Sequence, residues 1–89
     1  MEKNVKCLLT KVDNVLISEV IEIDAEFGEP NCKLINPCQW KKDKDSDTFY
    51  LERWIEATNQ TELMIRSEDI LTIADPTPEV VQKYLEFIE

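Results

Sequence analysis

Residues 62–76 restrict the fold more than any other stretch. Two short apolar runs, Leu63-Met64-Ile65 and Ile70-Leu71-Thr72-Ile73, flank the polar quartet Arg66-Ser67-Glu68-Asp69, and Pro76 closes the unit. The β-branched residues cluster, and Ser and Asp side chains can bond back to nearby backbone. The stretch therefore predicts two strands on a tight corner rather than a helix. From Ile70 to Ala74 there is no charged residue and no proline. As an edge strand this run lacks the ordinary guards against pairing with another chain.

The remaining chain supplies strands for that corner to join. Residues 4–12 alternate, with Val5, Cys7 and Leu9 on one face and Lys6 and Thr10 on the other; Leu8 breaks the pattern, which implies that the outer face is also partly covered. Asp13-Asn14 is a dipeptide suited to a two-residue hairpin. A second strand follows from Val15 to about Asp24, with Val15, Ile17, Ile21 and Ile23 on one face together with Glu19, Val20 opposite, and a bend between. Residues 25–30 hold the one glycine, Gly28, and read as a loop. Cys32, Leu34, Cys38 and Trp40 are in phase on a third strand, where Pro37 demands a bulge or an edge. Residues 41–48 alternate in charge as a solvated hairpin tip, and residues 49–56 alternate as a fourth strand. At the tail Thr77 is a natural N-cap, Pro78 fits the first helical position, and Glu79 suits the first turn. Val81, Tyr84, Leu85 and Ile88 then form the apolar stripe of a helix over 77–88, flanked by Val80 and Phe87.

With 89 residues the chain forms one domain, 1–89. Its net charge is −9, and residues 54–89 contribute eight acidic side chains against Arg66 and Lys83. That field keeps the protein soluble and opposes polyanions and anionic membranes. Cys7, Cys32 and Cys38 are an odd set without CxxC spacing, so a reduced, cytoplasmic setting is expected, with no apolar run of membrane-spanning length. Histidine is absent, as are a nucleophile elbow and a glycine-rich phosphate loop, so no enzyme activity and no cofactor are expected. Asp43, Asp45 and Asp47 lack the glycine and terminal Glu of a calcium loop, and no metal is expected there. Trp40 and Trp54 fit packing under the charged insertion or against the tail helix better than a stacking platform for bases.

The strand series and the corner Ile65-Arg66-Ser67-Glu68-Asp69-Ile70, with Ile73 three further on, resemble the Sm-like (LSm) family. Its first motif is similar to Val5 through the Asp13-Asn14 turn, Asp24, Asn31 and Leu34. The acidic, helix-tailed form most resembles the Sm-like proteins of tailed cyanophages. Ser18 and Ser67 stand where the family carries glycine, the helix is C-terminal, and residues 41–61 read as an insertion. The resemblance implies a mostly β fold, a small, strongly bent five-stranded Sm-like (SH3-like) barrel over 4–75 with an inserted hairpin near 41–61 and a C-terminal α-helix.

It also implies a homo-oligomeric ring of five to seven copies, a phage-encoded assembly protein in the host cytoplasm, with Leu63, Met64, Ile65, Ile70, Leu71, Thr72 and Ile73 at the subunit interface. By the same resemblance Asn31, Arg66 and Asp24 would contact RNA. An arginine can stack on a base or fork to a phosphate, but the net charge opposes this reading. A monomeric SH3-like adaptor is the third alternative.

Overall fold

The computed structural model describes residues 4–24, 26 and 30–89 of the chain. The fold is mostly β, an antiparallel sheet of six strands with one C-terminal helix. The strands are β1 (Val5–Thr10), β2 (Val15–Glu22), β3 (Cys32–Lys42), β4 (Phe49–Arg53), β5 (Glu62–Ile65) and β6 (Ile70–Ala74), followed by α1 (Pro78–Ile88). Their spatial order is β4-β3-β2-β1-β6, with β5 also beside β3. No ladder joins the two ends of this path among the described residues. The predicted loop at 25–30, with Gly28, lies largely outside them.

The β1–β2 turn differs from the expected two-residue hairpin. Asp13 alone takes a left-handed backbone, at φ 64°, and closes a three-residue loop in which the Thr10 amide donates to the Asn14 carbonyl at 3.1 Å. A two-residue type I′ turn needs two such residues, and one suffices here.

Both faces of the sheet are apolar. On the first, Val5, Ile17 and Cys38 are buried beneath α1 with Tyr84, and Val15, Trp40 and Leu51 pack around them. On the second, Leu8, Leu16 and Leu34 are fully buried, with Val20, Trp54, Ile65 and Ile70 around them. Leu8 is therefore part of a second core, and the outer face is covered as its break in the alternation implied. Cys32, Leu34, Cys38 and Trp40 do not share one face. Ile17 pairs with Cys38 and Glu19 with Ile35, so Asn36 and Pro37 together oppose Ser18 alone. The extra residue inverts the side-chain phase of β3, leaving Leu34 on one face and Cys38 and Trp40 on the other.

At that bulge β3 also changes its outer neighbour, from β5 against Cys32–Ile35 to β4 against Cys38–Lys42. Several backbone groups at the switch find partners elsewhere. The Trp54 amide donates to the Pro37 carbonyl at 3.1 Å, and the Asn36 amide to the Thr61 carbonyl. The Tyr84 hydroxyl lies 2.9 Å from the Ile35 carbonyl and 3.0 Å from that of Asn36. The Ser18 hydroxyl reaches the Ile35 carbonyl as well, at 3.1 Å. Pro37, which cannot donate, thus sits where no ladder bond is needed.

The tail helix starts as expected, with the Thr77 hydroxyl accepting from the Val80 amide. Its core-facing set is Val80, Tyr84, Leu85 and Ile88, with Val80 in place of the expected Val81.

Burial raises the Tyr84 phenol to about 12 from an ordinary 10.0, and the Cys38 thiol to about 11 from 9.0. Between each ordinary and raised value the unfolded chain has lost a proton that the folded chain keeps, so stability falls as pH rises. The expected loss is about 1.4 kcal/mol per pH unit and group. Urea midpoints should hold steady to pH 9 and then fall, more steeply between pH 10 and 11, and Tyr84→Phe should remove the added steepness. A midpoint flat to pH 11 would contradict the burial of both groups.

Candidate functional site

The connection from β5 to β6 is tightly constrained. It leaves a strand beside β3 and enters one beside β1 using only four residues, 66–69. Across a flat sheet that journey covers four strand spacings, about 19 Å at about 4.8 Å each. Three of the four residues form a 3-10 turn, Ser67–Asp69, which rises only about 2 Å per residue. The sheet must therefore curl until its two ends approach. Ile65 and Ile70, either side of the corner, both pack on the second core.

Side chains from distant segments lock this corner. The Asn31 amide nitrogen donates to the Ser67 hydroxyl at 3.1 Å, and its oxygen accepts the Ser67 amide at 2.8 Å. The Lys11 amide donates to the Asp69 carbonyl at 3.0 Å, tying the corner to the β1–β2 turn. Arg66 pairs with Asp69 at 3.2 Å and with Glu68 at 3.6 Å. These ion pairs are exposed, so each contributes less than about 1 kcal/mol.

Of the residues expected to contact RNA, Asn31 and Arg66 thus meet at one corner, through Ser67. Asp24 is exposed nearby, one residue beyond Ile23, whose amide donates to the Asn31 carbonyl. The Asn31 amide is engaged at both ends by Ser67, and the Arg66 Nε by Asp69. Ser67 completes the corner, and no local pattern links it to a residue 36 positions earlier.

The expected interface residues divide into two sets. Ile65 and Ile70 belong to the core, and Leu63 is half-buried opposite Leu34. Met64, Leu71, Thr72 and Ile73 are exposed, Leu71 at 60% and Ile73 at 46%. β6 pairs with β1 on one side and has no partner strand on the other among the described residues.

Other chemistry is sparse. Trp40 stacks near Phe49, with ring centres 6.0 Å apart, whereas Trp54 packs on the opposite face, so the two tryptophans make no common platform. Burial raises the Cys7, Cys32 and Cys38 thiols, with Glu22 adding to the effect at Cys32, so none resembles an activated nucleophile. Among the described residues no cluster of three or more acidic, Cys or His side chains could hold a metal ion, and no helix is long and apolar enough to cross a membrane.

No curated protein matches the sequence. The family model described as a family of unknown function, DUF6561, matches residues 3–89, and the chain belongs to that family.

Proposed function

We propose that the protein is an acidic assembly module of Sm-like type, which self-associates through its two strand edges into a homo-oligomeric ring. The observation that carries this reading is β6, an exposed strand without charge or proline and with one side unpaired among the described residues. An edge of this kind invites a second strand unless something covers it. The opposite end of the sheet offers β5, four residues to the five of β6, with Met64 exposed. Pairing β6 of one copy with β5 of the next is a heterologous contact, and a curled subunit turns successive copies so that the array closes. In this reading Asn31 ties the corner to Ser67 and helps hold the two edges at a fixed angle, while Arg66 is partly neutralised by Asp69 and Glu68.

Native mass spectrometry at micromolar concentration tests the proposal. A species of five to seven copies is expected, with its mass unchanged by oligo-U or oligo-A. A clean monomer would overturn it and favour a monomeric adaptor. A mass increment from RNA would return Asn31 and Arg66 to the role of ligand contacts.

A further inference from the structure

A cleft opens where β3 changes partners. β4 leaves the β3 edge at Arg53 and β5 meets it at Glu62, so residues 54–61 loop outward between them. The bulge at Asn36 and Pro37 and the last turn of α1 complete a cavity of about 160 Å³. Asn36, Arg53, Gln60 and Thr61 line it, with Trp54 and Phe87 as apolar walls.

None of those four polar side chains has a hydrogen-bond or ion-pair partner among the described residues. Arg53 stands out further. The other half-buried cations, Lys6, Lys33 and Lys41, pair with Asp75, Glu62 and Glu52. Among the described residues Arg53 has no carboxylate partner, and no acidic side chain lines the cleft.

We infer that this cleft binds a monoanionic carboxylate carried on a short apolar skeleton. The guanidinium offers a planar fork that matches a carboxylate in two parallel hydrogen bonds. The amides of Asn36 and Gln60 and the Thr61 hydroxyl supply further donors. One cation balances one negative charge, whereas a phosphate dianion would leave a second charge facing a chain of net −9. Trp54 and Phe87 suit the carbon portion. The volume is below the range of about 300–1,000 Å³ for drug-sized sites, so the bound group has few heavy atoms. A free carboxylic acid and the side chain of a glutamate in a peptide both present this chemistry.

The test is a ¹H–¹⁵N NMR titration of the whole chain at constant ionic strength, with sodium benzoate, N-acetyl-glutamate methylamide, benzamide and sodium phosphate in separate arms. Saturable shifts are expected at the Trp54 indole and at the Gln60 and Thr61 amides with a carboxylate, and binding at least tenfold weaker with benzamide and phosphate. Benzoate alone acting assigns a free acid, and the blocked glutamate alone acting assigns a peptide side chain. Response to both means that the carboxylate itself is read. Arg53→Gln should weaken binding at least tenfold and Arg53→Lys less. Gln60→Ala, at an exposed position, should also weaken it and does not endanger the fold. No saturable shift from either carboxylate, benzamide matching benzoate, or parental affinity in both Arg53→Gln and Gln60→Ala overturns the inference.

Discussion

Tyr84→Phe should destabilise the domain by about 1–3 kcal/mol, and Tyr84→Ala by about 3–5 kcal/mol. The ring is fully buried at the centre of the first core, and its hydroxyl lies against the Ile35 and Asn36 carbonyls at the bulge. Removing only the oxygen takes one donor from each of these carbonyls and the acceptor from the Glu19 amide. Removing the ring also opens a cavity between α1 and the sheet. A domain of this size has roughly 4–13 kcal/mol in total, so the alanine variant approaches global unfolding.

Ser18 sharpens the test. Its hydroxyl reaches the same Ile35 carbonyl, so each of Ser18→Ala and Tyr84→Phe leaves one donor in place. The double variant leaves none and should lose about 0.5–3 kcal/mol more than the two single losses added together. Urea denaturation of the four proteins supplies the cycle. Strict additivity, or a Tyr84→Phe midpoint equal to the parent's, would show that the hydroxyl does not hold the bulge.

Tyr84 also marks the limit of what the sequence discloses. The spacing of Val81, Tyr84, Leu85 and Ile88 identifies a helix with a buried side, and Thr77 and Pro78 fix its start. The rotation of that helix is another matter. It depends on where the Tyr84 hydroxyl finds acceptors, and this anchorage brings Val80 rather than Val81 onto the sheet. The bulge behaves likewise. Pro37 announces an irregularity, but the inversion of phase between Leu34 and Cys38 depends on which β2 residue opposes it, a property of the pairing. Leu8 deviated from the alternation of β1 because both faces are covered, and simple alternation assumes that one faces water. At the corner, the turn and its two strands are local and legible. The Asn31–Ser67 lock is not, since it joins residues that only the folded sheet brings together. The exposed edge at β6 was readable for the opposite reason, because missing charges are a property of composition.

That edge gives the second large effect. Leu71→Lys should dissociate the assembly, with an apparent association at least tenfold weaker, while changing the stability of the subunit by no more than about 0.5 kcal/mol. Leu71 is 60% exposed and stands in the irregular step where β6 passes from Thr72 opposite Leu9 to Ile70 opposite Thr10. Its side chain therefore contributes little to the core, and a lysine there remains solvated in the monomer. In a paired edge the same ammonium loses part of its water, a desolvation penalty that falls on the assembled form alone. Net charge works in the other direction. The substitution takes each subunit from −9 to −8, which reduces mutual repulsion, so a loss of assembly cannot be blamed on the overall field. Thr48→Lys, at the exposed β3–β4 hairpin tip, makes the same change of charge away from β6 and should assemble like the parent. Sedimentation velocity across a dilution series separates the cases. If Leu71→Lys sediments with the parent at every concentration, β6 is not the contact, and the uncharged edge must be kept from pairing by some other part of the molecule.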